Sequence, residues 1–102
     1  KAQRLALAAR DRGCSFPGCT RPPAWTEVHH VTAWIHGGTT DLDHMCLLCR
    51  YHHRHFAQHG WEAVMRDGVP YWRPPTWLNP DRTPIRNTAH HPPDIDFRQP
   101  AA

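Results

Sequence analysis

Residues 46 to 55, "CLLCRYHHRH", place two Cys and three His within ten positions of a 102-residue chain. Thiolates and imidazoles are the ligands that zinc and similar divalent metals prefer, and a structural zinc takes four of them. One ion therefore cannot use all the donors of this neighbourhood. Upstream, Cys14 and Cys19 stand in "CSFPGCTRPP", and His29 and His30 are adjacent in "EVHHVT". Eight of the ten His lie between His29 and His59, a clustering that bias in composition would not produce.

The cysteines admit three readings. Disulfides, Cys14 with Cys19 and Cys46 with Cys49, suit a small secreted protein but leave the clustered His without a purpose, and no export leader is visible. A four-Cys zinc site would use Cys46 with Cys49. The reading preferred here joins Cys14 and Cys19, four residues intervening, to Cys49 and His52, two intervening, as a zinc knuckle opening onto a helix. Cys46 lies inside the apolar run "MCLL", where a free Cys behaves as a small buried hydrophobe. His29, His30, His44, His53, His55 and His59 are then left over.

These donors need elements to position them. "KAQRLALAARDR" is rich in strong helix formers and predicts a helix ending near Gly13. The Pro and Gly around Cys14 and Cys19 predict a tight loop. "WTEVHHVTAW" is β-branched and aromatic and predicts a strand of about seven residues, broken at Gly37 and Gly38. Adjacent side chains of a strand face opposite ways, so His29 and His30 cannot both face one ion unless the strand ends or twists there. A short apolar strand is expected from Met45 to Leu48, then a short helix over "YHHRHFAQHG" closed by Gly60. "WEAVMR" and "VPYWR", joined by Asp67 and Gly68, predict a hairpin with a type I′ turn. Together these elements describe a small α+β unit. Most of the five Trp are expected in its core. Eight of the eleven Pro lie from Pro70 onward, so residues 74–102 are expected as an extended, weakly structured tail behind a domain of residues 1–73.

A chain of this size sits where one hydrophobic core gives modest stability and a bound metal is a common supplement. Twelve basic residues, eleven of them Arg, against nine acidic suit a phosphate-rich partner. Arg50 and Arg54, at helical spacing beside the His cluster, are the foremost candidates for nucleic-acid contact, with Arg10, Arg12 and Arg21 behind them. No apolar run approaches the roughly 18 residues that span a bilayer, so no membrane role and a cytoplasmic location are expected. The chain starts at Lys1 rather than Met, which leads us to expect a longer parent protein with a preceding domain.

"EVHHVTAWIHGGTTDLDHMCLLCRYHH" resembles the HNH endonuclease motif, the ββα-metal or His-Me finger, in its zinc-bearing form. The flanking "RDRGCSFPGCTRPPAW" and the later "GW", "PPTWLNP" and "RTPIRNTAHH" are similar to HNH domains at the C-terminus of an actinobacterial repeat family. The resemblance runs from about Arg10 to His91 and implies a ββα-metal finger with a zinc knuckle, flanked by the N-terminal helix and the later hairpin.

It also implies roles. His29 binds a catalytic divalent ion, His30 is the general base, and His53 is a further ligand; the activity is hydrolysis of DNA phosphodiester bonds. Mg2+, Mn2+, Ni2+ or Zn2+ would serve as that ion beside the structural Zn2+. Two positions depart from the family pattern. His44 stands where an Asn is usual, in "DLDHM", so it takes the ligand role or loses the Asn's loop contacts. Ala57 stands where many relatives carry another His. The rival expectation is a catalytically decayed zinc-knuckle module that only binds nucleic acid. His36 reads as loop surface, His59 as a solvated or helix-capping residue, and His90 with His91 receives no mechanism.

Overall fold

The computed structural model describes residues 2–31 and 42–91. Trp34, His36, Gly37 and Gly38 of the expected strand end and break lie outside them, as does the tail beyond His91.

Helix α1 spans Ala2–Asp11 and buries Leu7 completely. Removing such a side chain from water contributes about 1.5–3 kcal/mol. Leu7 packs with Met45 and Leu47, flanked by Ala8 and Val28. The helix stops, as expected, where Arg12 and Gly13 take positive φ, 61° and 151°.

A single 3-10 turn over Pro23–Trp25 leads into β1, Thr26–His30. This strand pairs antiparallel with β2, Met45–Cys49, with His29 opposite Cys46 and His30 opposite Met45. All five residues of β2 are buried, because the strand is covered on both faces. Met45 and Leu47 meet α1, while Cys46 and Leu48 join Trp72, with Phe16, Phe56 and Trp61 packed against them. An unbroken apolar run is what such double coverage demands.

Helix α2, Arg50–His55, follows β2 without a linker, and the chain turns back through Gly60, whose φ of 85° is the expected left-handed stop. Strands β3, Glu62–Arg66, and β4, Val69–Arg73, form the anticipated hairpin. Asp67 and Gly68 both have positive φ, 52° and 74°, as a type I′ turn requires. The result is a small α+β molecule: an N-terminal helix, two antiparallel hairpins, and α2 against the first of them.

One expectation is corrected. Residues 74–91 are largely without helix or strand, yet they are not weakly held. Pro74 and Pro75 are buried, and the backbones of Trp72 and Ile85 exchange two hydrogen bonds of 2.8 Å. Apolar proline surface and paired backbone anchor this segment despite its composition. Nor are the tryptophans among the described residues mainly core: Trp72 is buried and Trp61 half-buried, but Trp25 and Trp77 are exposed. Among the described residues no helix is long and apolar enough to cross a membrane.

Candidate metal centre and catalytic face

The Cys14–Cys19 loop is carried beside β2 by Ser15, whose N–H donates to the Leu47 carbonyl at 2.8 Å. A turn from the Cys19 N–H to the Phe16 carbonyl, 3.0 Å, brings the second thiol round to the first. Cys49 ends β2 and caps α2: its Sγ accepts from the His52 N–H at 3.4 Å. The Nδ1 of His52 lies 3.2 Å from Cys49 Sγ and 3.6 Å from Cys14 Sγ. Phe16 stacks on the His52 ring with centroids 4.2 Å apart and planes inclined by 12°, which fixes the direction of the imidazole.

The ligand atoms of Cys14, Cys19, Cys49 and His52 all lie within 4.8 Å of one another. With metal–sulfur and metal–nitrogen bonds of about 2.3 and 2.0 Å, tetrahedral zinc needs donors roughly 3.5–4 Å apart. This group can hold a zinc ion. Cys46 is elsewhere, wholly buried in the core against Ser15, and burial pushes its thiol up to about 12. It shares a core cluster with the three metal-site cysteines but is not among the side chains whose ligand atoms converge, so the four-Cys alternative lacks its fourth ligand. All four cysteines are free thiols, which removes the disulfide alternative.

Local electrostatics suit the knuckle. Burial opposes ionisation of Cys49 but is outweighed by hydrogen bonds from the His52 N–H and the Arg21 guanidinium, aided by Cys14 and Cys19, so its thiol sits below its ordinary value. Burial pushes Cys14 up instead, which a bound dication would reverse. Burial and then the charge of Arg21 lower His52, keeping the imidazole neutral and able to bind metal. Arg21, placed by its sequence among residues for phosphate contact, donates to Cys49 Sγ at 3.3 Å. Arg10 is likewise committed, with its guanidinium on the carbonyls of Leu42, Met45 and Gly68 and on Asp11.

The second histidine group lies on the other side of α2. Pairing puts His29 and Glu27 on the face of β1 that meets this helix. The rings of His29 and His53 stand 5.2 Å apart, and Glu27 Oε1 lies 2.8 Å from His53 Nδ1. Burial first, then the charges of His53 and His30, lower His29 to about 4, so it is neutral near pH 7. The hydrogen bond from His53 lowers Glu27, and the charges of His53, Arg50 and Arg54 add to this. Arg50 and Arg54 are exposed beside it.

His30, one residue on, is exposed at the end of β1. With His29, Phe56, Ala57, Trp61 and Glu62 it borders an open groove of about 340 Å³. His44 ends a 3-10 turn, where its carbonyl accepts from the Val31 N–H at 2.8 Å and continues the ladder past β1. Among the described residues, the group of three or more metal-ligating side chains that comes together is the knuckle. His55 is turned onto the Tyr51 carbonyl, 2.7 Å away, and His59 is exposed.

Three participants escaped the sequence. Glu27 was signalled weakly, being two residues before His29 and so on the same strand face. Arg21 and Asn87 carried no local signal; Arg21 reaches Cys49, 28 residues on, and Asn87 reaches the Cys14–Cys19 loop from 68 and 73 residues away.

Comparison with known proteins agrees with this arrangement. Residues 14–56 match the family model for HNH endonuclease. Relatives include the uncharacterized protein Rv1945 of Mycobacterium tuberculosis (strain ATCC 25618 / H37Rv), 41% identical over 95 residues, which are 92% of this chain and 20% of that protein. Rv1128c of the same strain is 42% identical over 92 residues, 89% of this chain and 20% of its own length. Mb1179c of Mycobacterium bovis (strain ATCC BAA-935 / AF2122/97) is 41% identical over 95 residues, 92% of this chain and 20% of its own length. The chain thus spans about a fifth of the length of the curated relatives it matches. No solved structure matches it. Two strands and a helix bearing paired histidines, beside a Cys and His cluster able to hold zinc, therefore coincide with the segment, residues 14–56, that matches the HNH endonuclease family model.

Proposed function

We propose that this domain hydrolyses DNA phosphodiester bonds with His30 as general base and one divalent ion held by His29 and His53, while zinc on Cys14, Cys19, Cys49 and His52 is structural. One observation carries the reading: His29 and His53 meet at 5.2 Å across β1 and α2, while His30, the next residue, is exposed at the end of the strand on the same groove. Ligand and base are thereby divided between neighbouring residues.

The donors fit a divalent ion. His29 is neutral, and Glu27 occupies Nδ1 of His53, which leaves Nε2 as its metal-facing nitrogen; a carboxylate behind a ligating His fixes tautomer and ring direction. When bound, the ion would supply Lewis-acid stabilisation of the phosphate and of the leaving 3′ oxygen. His30, at the groove's edge, takes the proton of the attacking water, a contribution of about 10²–10⁴-fold. Arg50 and Arg54 face the phosphates from α2. His44 serves as third ligand if its ring swings toward His29; otherwise water completes the site. A domain earlier in the parent chain would select the DNA.

His30→Ala tests this reading. Nicking of supercoiled plasmid should fall at least ~100-fold, with metal content and DNA affinity unchanged, because the base acts in the chemical step. Ala57, in place of a family His, favours the second reading, a module that binds nucleic acid without cutting it. Salt-sensitive DNA binding by the native chain with no cleavage under any divalent ion would establish that reading instead.

A further inference from the structure

The Cys14–Cys19 loop is irregular, yet two of its backbone carbonyls are met by one side chain from the far end of the domain. The Nδ2 of Asn87 donates to the carbonyl of Cys14 at 2.8 Å and to that of Cys19 at 3.0 Å. Its Oδ1 accepts from the N–H of Gly18 at 3.1 Å and from that of Ala89 at 2.9 Å. A primary amide has two N–H donors and two acceptor lone pairs, and here all four are used. Asn87 is itself buried, so the two bonds it donates are made without competition from water, while the two it accepts are partly buried.

The chain around Asn87 is set just as closely. The backbone exchange between Trp72 and Ile85 anchors it on one side. On the other, His91 Nε2 lies 3.2 Å from the Asp11 carbonyl. His90 packs so tightly on Gly13 that a Cβ there would stand 2.5 Å from its ring and 2.4 Å from the Arg21 carbonyl.

We propose that Asn87 is a positioning residue of the zinc site, holding the two loop cysteines in their metal-binding arrangement. The metal-binding unit then extends past the matched segment, 14–56, to at least His91. The proposal rests on zinc occupying the Cys14, Cys19, Cys49 and His52 group. Asp at position 87 would keep the acceptors, lose both donors and face two carbonyls with a charge. Gln would overreach by a methylene.

The experiment compares zinc release to a chromogenic chelator from the native chain, Asn87→Asp and Ile85→Ala. The Ile85 side chain is partly exposed, and its truncation leaves the backbone pairing intact, so it controls for general loosening of the segment. Loss of an outer partner of a metal ligand typically costs about 10–100-fold in affinity. Asn87→Asp should release zinc faster by that factor and shift the visible absorption of the cobalt-substituted protein, which reads ligand geometry rather than stability. Ile85→Ala should do neither. Release from Asn87→Asp at the native rate, or no faster than from Ile85→Ala, overturns the proposal.

If Asn87→Asp does not fold, amide hydrogen exchange on the native chain decides: Gly18 and Ala89 should lose protection together when zinc is removed. Ala89 protection that survives zinc removal overturns the clamp. A chain that binds no zinc at all overturns the site and the clamp together, whereas zinc held tightly by Asn87→Asp overturns the clamp alone.

Discussion

Two cysteines three residues apart, Cys46 and Cys49, share one buried cluster yet have opposite fates, because only Cys49, at the cap of α2, brings its sulfur to the ligand atoms of Cys14, Cys19 and His52. Cys46 is sealed in the core with a raised thiol, and Cys49 reaches the helix cap, where the His52 N–H and Arg21 favour its thiolate. Substitutions should separate them. Cys46→Ala should keep full zinc content and cost roughly 1 kcal/mol in packing, the usual scale of a modest core truncation. Cys49→Ala should lose the ion and, because ligation is coupled to folding, most of the thermal transition. Zinc analysis alongside thermal melts checks both, and zinc loss in Cys46→Ala would return the four-Cys site.

Between elements, the contact most closely tied to chemistry joins β1 to α2 through Glu27 and His53. Both side chains are well exposed, 52% and 30%, so the bond contributes little to stability. Its effect is on direction, holding the imidazole by Nδ1 while the ring packs against that of His29. Glu27→Gln should therefore leave the melting temperature within about 2 °C, as expected for a solvent-screened surface pair. It should weaken binding of the proposed catalytic ion by about 10–100-fold, measured by calorimetry on zinc-loaded protein. Unchanged affinity would mean that packing against His29 alone sets the ring.

For the whole molecule, cohesion comes from residues that tie distant segments together. Arg10 joins α1 to the turn before β2 and to the β3–β4 turn, Asp11 accepts from the Leu47 N–H at 2.9 Å, and Asn87 and His91 bring the later chain back to the metal loop. A version ending at Arg73 would expose Trp72 and unclamp the loop, while one ending at His91 keeps every contact described. The first should lose at least 10 °C in melting temperature and most of its zinc; the second should match the full chain. A fall of several kcal/mol is the scale expected when a core Trp and a buried hydrogen-bonded amide lose their partners. Equal melts for the two versions would restore residues 1–73 as the complete unit.

What the sequence determined by itself is what depends on near neighbours. The Cys49-x-x-His52 spacing, the Asp67–Gly68 turn and the double-sided burial of "MCLL" all follow from helix and strand periods or from turn chemistry. The loop pair Cys14 and Cys19 was legible because its spacing, set among Pro and Gly, is itself a metal signature. Tertiary structure alone decided how polar groups were shared out. Arg21 went to a thiolate, Arg10 to carbonyls, Glu27 to an imidazole, and Asn87 to a loop 68 and 73 residues away. A polar side chain has no period to betray its partner. Which buried carbonyl or thiolate it must satisfy is known only once folding has removed water from that group, since only then does leaving it unpaired cost about 1–3 kcal/mol.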